Sequence, residues 1–234
     1  MSDLQGKTVA IAGATGGLGP VVAERLARDG ATIAAADIDQ QRLDALGEEL
    51  GLGDRYEAQV VNLLDAGEAR AWADGISERH GGVHALLHLV GGWKGGQPLA
   101  EAPLDEYEWL HDLLVRTVQH ASRAFHDHLA AAQGRFVLVS STQAQRPDGT
   151  NASYAAAKAA AEAWTLALAD SLKDSGATAN VVVVNAILTP QMRAESPDKP
   201  FKTFTSTEEI ADAIAFLLSD GAAKMTGARL ELHP

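Results

Sequence analysis

No cysteine occurs among the 234 residues, which excludes disulfides, thiolate-ligated zinc and thiol nucleophiles. Aromatic residues are scarce at 5%, and no apolar run approaches the ~20 residues a membrane-crossing helix needs. Positive charge is the minority: 19 Lys and Arg face 31 Asp and Glu, for a formal net charge of -12. That balance, with no Lys/Arg run to offset it, argues against a nucleic-acid surface. The opening MSDLQGKTVAIAG has no long apolar stretch behind a basic start. No signal peptide is expected, and a soluble cytoplasmic protein is. The histidines lack metal-ligand spacing: His126 and His128, or His120 and His126, do not stand at i and i+4 on a helix, so no metal site is expected.

What is present is ordinary globular material, 46% apolar and 21% charged. The length suits one α/β domain spanning 1–234. Short β-rich runs recur at Thr8 to Gly13, Thr32 to Asp37, Tyr56 to Asn62, Ala85 to Gly91, Arg135 to Ser141, Asn180 to Ile187 and Ala228 to His233. Most are continuously apolar, as strands buried on both faces are, which predicts a parallel sheet of about seven strands flanked by helices. Helical patterns fall between them. Asp65 with Glu68, and Ser206 with Glu209, carry capping spacing, and long patterns cover Leu104 to Ala131 and Tyr154 to Ser175. The alternation implies right-handed crossovers and an open, doubly wound Rossmann sheet. The Pro-rich segment Thr189 to Ser206 is the least regular and is expected to form a substrate lid.

Chemistry enters at the first turn. AGATGGLG places Gly13, Gly17 and Gly19 between a predicted strand and a predicted helix. Glycines there let backbone amides approach a pyrophosphate at a helix N-terminus. Asp37 ends the second strand, where a carboxylate accepts hydrogen bonds from ribose hydroxyls and repels a 2′-phosphate, predicting NAD (NADH) over NADP. Further on, ASYAAAKAAAEAW sets Tyr154 and Lys158 at i and i+4, a phenol and a cation on one helix face. A nearby cation favours phenolate; moving a phenol from pKa ~10 to ~7 takes roughly 4 kcal/mol. Ser141 ends a predicted parallel strand, the edge where ligands of such sheets bind, with Ser140 as its competitor on the opposite face.

The glycine spacing, YAAAK and the strand ending in Ser141 together resemble the short-chain dehydrogenase/reductase family, along nearly the whole chain. The segments VHALLHLVG, VVNAILTP and MTGARLEL resemble its fourth, sixth and last strands. The resemblance implies an NAD-dependent oxidoreductase moving hydride between nicotinamide and a carbonyl or alcohol. Tyr154 would be the acid–base residue, Lys158 its partner and a holder of the nicotinamide ribose, and Ser141 the substrate-orienting hydroxyl. It also implies cofactor contacts at Gly13, Gly17, Leu18, Gly19, Asp37, Asn62, Gly91, Tyr154, Lys158 and Thr189, and a homodimer or homotetramer paired through the long helices.

The chain departs from the family in places. The usual Asn-Asn-Ala-Gly reads His88-Leu89-Val90-Gly91, and the relay asparagine of the fourth long helix aligns with Leu114, with His111 one turn earlier on the same face. The stretch before Thr189 is short. GGWKGG and LTPQMR are similar to segments of dihydropteridine reductases, and Trp93 could stack on a planar substrate. A dihydropteridine-type (quinonoid) reductase is therefore one alternative. A non-catalytic NAD-binding regulator or oligomer partner, motivated by Leu114 and the short loop, is another.

Overall fold

The computed structural model describes residues 3–233. Seven parallel strands form the central sheet: β1 Thr8–Ala12, β2 Thr32–Asp37, β3 Tyr56–Val60, β4 Ala85–His88, β5 Arg135–Ser141, β6 Thr178–Val184 and, numbered last, β9 Arg229–Glu231. Their spatial order is β3-β2-β1-β4-β5-β6-β9. The order reverses between β1 and β4, which opens a crevice at the carboxyl ends of the strands. A small second sheet pairs β7 Ala186–Leu188 with β8 Phe204–Ser206. The helices are α1 Gly19–Arg28, α2 Gln40–Leu50, α3 Ala66–His80, α4 Leu104–His111, α5 Thr117–Ala132, α6 Ala152–Ser171, α7 Pro190–Glu195 and α8 Thr207–Leu218.

Strand alternation divides the core. Val9, Ile11, Ile33 and Val182 face α1, α2 and α8. Ala10, Ala12, Ala34 and Ala36 face the other side, where α3, α5 and α6 pack. The alanines there leave room for Trp72 and Phe125, which meet edge to face with centroids 4.8 Å apart. Helix starts follow the sequence signals. Asp39 caps α2 by accepting from Arg42 N, Asp65 caps α3, and Ser206 with Glu209 forms a full capping box on α8. Glu68 departs from that box: its carboxylate accepts from the amide of Asn62, at 2.7 Å.

Three expectations change. The pattern Leu104 to Ala131 is not one helix: a π-helical turn, Asp112–Arg116, interrupts it between α4 and α5. Asn180 to Ile187 splits into β6 and β7 at Asn185, whose side-chain amide accepts from the Thr142 hydroxyl and donates to the carbonyl of Thr203. Thr189 to Ser206 is partly regular, holding α7 and β8, and Phe201 and Phe204 stack edge to face within it.

Most buried side chains are apolar, but His88 at the end of β4 is 1% exposed. Burial, with the charge of Lys158 beside it, pushes its pKa from 6.5 down to about 3. Protonation is thus easier in the unfolded chain, and stability is lost as pH falls below the unfolded value. His84, also lowered by burial, acts in the same window. Replacing His88 by Asn is expected to remove roughly 1.4 kcal/mol per pH unit from the slope of unfolding free energy between about pH 6 and 4. Urea titrations at three pH values measure it, and equal slopes for both proteins refute it.

Candidate active site

The crevice at the carboxyl edge is a cavity of about 730 Å³. Its lining holds Gly13, Gly17, Leu18, Asp37, Asn62, Gly91, Trp93, Ser141, Tyr154, Lys158 and Thr189, so residues far apart in sequence converge. Gly19 is the exception. A Cβ on it would lie 2.1 Å from the carbonyl oxygen of Ala14, so this glycine serves the packing of α1 onto the turn.

The turn is shaped for close approach. Gly13 has φ +79°, and a Cβ there would meet the amide nitrogen of Val90 at 2.8 Å. The amides of Gly17 and Leu18, at the start of α1, have no acceptor among the described residues. With the helix N-terminus behind them, they fit the phosphates of a dinucleotide. Asp37 faces this turn rather than solvent. One carboxylate oxygen accepts from the amide and hydroxyl of Thr15, at 3.0 and 2.7 Å, and the other from Ile38 N at 2.8 Å. Arg42, one turn into α2, also reaches in: its guanidinium donates to the Thr15 carbonyl and lines the cavity. Asn62 turns its side-chain oxygen to Leu64 N, at 3.1 Å.

Across the cavity, α6 delivers the phenol and the ammonium. Ser141 is buried, and its hydroxyl accepts from Gln143 N at 3.3 Å. Burial raises the pKa of the Tyr154 phenol, and the Ser141 hydroxyl beside it works the other way. In the free protein burial outweighs that pull, and the phenol holds its proton. Lys158 is 7% exposed, and its Nζ donates to the carbonyl of Val139 at 3.0 Å. Burial lowers its pKa from 10.5 to about 8, against the pull of Glu162 one turn on. Its nitrogen sits 5.9 Å from the Tyr154 ring centroid.

The mouth is built by GGWKGG. Trp93 donates from Nε1 to Asn151 Oδ1 at 3.0 Å, and Lys94 Nζ lies 4.7 Å from the Trp109 ring centroid. A Cβ on Gly92 would strike Leu113 and Trp109, at 2.6 and 2.9 Å. Thr189 caps α7, accepting from Met192 N at 3.2 Å, and its methyl lies 3.0 Å from where a Gly17 Cβ would be. Leu114 sits in the π turn, buried with Leu110, Val115 and Ala157 against Tyr154. His111 stays on the surface side, 3.8 Å from Asp112. The eight histidines do not gather: among the described residues, no three His, Asp or Glu side chains form a metal-ready group. No described helix is long and apolar enough to cross a membrane.

Sequence reasoning missed Arg42, Trp109 and His88. Arg42 had a signal, lying one helical turn after the strand-end aspartate. His88 showed itself as a departure from the family's asparagine inside a run, Ala85 to Gly91, that already read as a strand buried on both faces.

Residues 13–232 match the family described as enoyl-(acyl carrier protein) reductase. The 3-oxoacyl-acyl-carrier-protein reductase FabG of Escherichia coli K12 is 28% identical over 240 residues, covering 99% of this chain and 97% of that protein. An NADPH-bound short-chain oxidoreductase of Pseudomonas aeruginosa PAO1 with an atypical catalytic center superposes with TM-score 0.90 at 25% identity, covering 99% and 97%. A blue fluorescent protein from a metagenomic library, in complex with NADPH, gives 0.84 at 29%, covering 98% and 97%. The FabG relatives favour a FabG-like reductase over the dihydropteridine alternative, and the likeness of GGWKGG to that branch is local. A doubly wound sheet, a glycine turn at its switch point, and a Ser-Tyr-Lys cluster across the crevice agree with the match over nearly the full length: this chain belongs to the short-chain dehydrogenase/reductase family of oxidoreductases.

Proposed function

We propose that the protein is a nicotinamide-dependent carbonyl reductase with Tyr154 as proton donor. The observation that carries this is the meeting of Tyr154, Ser141 and Lys158 in one cavity with the glycine turn. A bound reduced nicotinamide supplies the hydride. Gly17 and Leu18 amides would hold its phosphates, with Asp37 and Asn62 at the adenosine end and Gly91, Lys158 and Thr189 toward the nicotinamide. Ser141 donates its hydroxyl to the substrate carbonyl oxygen and orients it against the phenol. Tyr154 gives up its proton to that oxygen as charge develops there. Lys158, held at the Val139 carbonyl, places positive charge where the phenolate forms. The name of the FabG relatives, reductases of 3-oxoacyl groups, supports a carbonyl substrate. Trp93 and Trp109 at the mouth supply an apolar rim for it, and the segment from Thr189 to Ser206 acts as the lid.

Choice of cofactor rests on two groups of opposite sign. Asp37 opposes a 2′-phosphate; Arg42 would meet one. The two neighbours solved with NADPH favour the phosphorylated form. We read the balance as NADH, because Asp37 is fixed at the strand end by three donors while Arg42 is already bonded to the Thr15 carbonyl.

Oxidation of NADH and NADPH is to be followed over ketones and 3-oxoacyl thioesters. Turnover of at least one is expected, and Tyr154→Phe should lower kcat/KM about 10³-fold with cofactor binding retained. A Tyr154→Phe protein that matches the parent on its best substrate refutes the chemistry; cofactor binding without turnover of any compound favours a non-catalytic binder. Asp37→Ala should raise the NADPH/NADH ratio of kcat/KM at least ~10-fold and Arg42→Ala should lower it, since each removes one charge from the 2′ site. A parent enzyme that already prefers NADPH overturns the assignment to NADH.

A further inference from the structure

In the π turn the position of Leu114 is apolar and packs with Leu110, Val115 and Ala157, so its side chain offers the ammonium of Lys158 no hydrogen bond. Lys158 has three N–H donors and spends one, on Val139. On the same side of the sheet lie buried polar atoms with no partner. Both ring nitrogens of His88 and the hydroxyl of Ser140 are in that state. An unpartnered buried donor or acceptor is costly, and proteins seldom leave several together. Their positions are linked by register. His88 pairs with Leu138 across β4 and β5, and Ser140 stands two residues beyond Leu138 on the same face. Leu86 and Leu138 assign that face to the side covered by α5 and α6. The His88 ring faces the main-chain carbonyl of Thr117, the first residue after the π turn, and lies close enough to Lys158 to feel its charge.

We propose that His88 is a positioning residue that, with Ser140, holds one buried water against the ammonium of Lys158 and ties that ammonium to the π turn. The imidazole is neutral and has one donor and one acceptor at opposite edges. The donor edge is the one turned toward the Thr117 carbonyl, a contact short of a full hydrogen bond. The acceptor edge takes a hydrogen from the water, which receives one from Lys158 and one from Ser140. Three polar partners are what a buried water needs. The support that a relay side chain at Leu114 would have given thus comes from the strand beneath. The charged and titratable groups around Lys158 are few. On α6 they are Tyr154 and Glu162, the latter paired with Arg229 of β9 at 2.8 Å. On β4 there is His88. Asp112 of the π turn lines the cavity but is tied to Arg116 at 3.3 Å. β5 contributes only hydroxyls and carbonyls.

The contribution to turnover rests on the reductase reading above; the test of the contact does not. Lysine side chains carrying ¹³C at Cε are titrated by NMR in the free protein, with Lys158→Met identifying the signal. His88→Leu is expected to lower the Lys158 midpoint by ~1 pH unit, because the charged form loses its polar support. His88→Asn, which keeps a donor and an acceptor, should restore it to within ~0.3 unit. An unchanged midpoint in a folded His88→Leu protein overturns the proposal. If that variant does not fold, Ser140→Ala decides: a downward shift of ~0.5 unit supports the water site, and no shift rejects it. Where a substrate is in hand, the alkaline limb of kcat should move down with the midpoint in His88→Leu while KM for cofactor changes less than ~2-fold, a split that lost packing would not produce.

Discussion

A cation buried at the edge of a parallel sheet sets the terms for the rest of the site. Lys158 is 7% exposed, and taking an ammonium out of water is expensive unless its hydrogens are used and an opposite charge stands near. The Val139 carbonyl is free to accept because it lies near the end of β5, where the crevice opens. Glu162, one turn further along α6, supplies the opposite charge, and it is 2% exposed itself. Glu162 in turn is met by Arg229 of β9 and by Gln145. The chain of alternating charges runs from the cavity to the last strand, and each member is tolerable because of the next. The alanines of α6 let the helix lie close enough for this to work: Ala155, Ala157 and Ala161 are all buried.

Much of this was legible in the sequence, for physical reasons. Runs such as NVVVV cannot face water on either side, so a parallel sheet covered by helices is the economical reading, and the observed strand order agrees. Capping signals are local chemistry, and Asp39, Asp65 and Ser206 act where they stand. The glycine turn and the Tyr–Lys spacing were legible because few residue types permit those geometries. The π turn was not. No Gly or Pro marks Asp112–Arg116, and the turn shows itself only in the folded chain, where the Thr117 hydroxyl donates to the Leu113 carbonyl one turn back at 2.6 Å. The state of the phenol was also out of reach. The i, i+4 pairing predicts a lowered pKa, but burial acts on both members, raising Tyr154 and lowering Lys158. Desolvation depends on what covers the helix, and that is written in other segments.

The glycines of GGWKGG show how one motif supports two readings. A pattern of glycines flanking a tryptophan suggests a flexible flap. The structure gives Gly92 and Gly95 a steric reason, and Gly96 a conformational one at φ +95°. Gly92 is hemmed in by Leu113 and Trp109, and a Cβ on Gly95 would lie 2.7 Å from Asn151 Oδ1. The loop is thus fitted against the π turn on one side and the start of α6 on the other, and Gly96 N adds a bond to the Thr150 carbonyl at 2.8 Å.

Asn151 carries the consequence. It occupies the N-cap of α6, where an Asn side chain ordinarily accepts from the first turn, a contact worth ~1 kcal/mol. Here no side-chain cap is made. Its oxygen accepts from Trp93, and its nitrogen donates to Asp148 at 2.9 Å. The helix that delivers Tyr154 therefore gives up local stability at its first turn, and the amide is used to fasten the loop bearing Trp93. The alanine content of α6 and its burial against the sheet offset that loss. Local rules are relaxed where function constrains the chain, and here the relaxation couples the mouth of the cavity to the residue three positions into the helix.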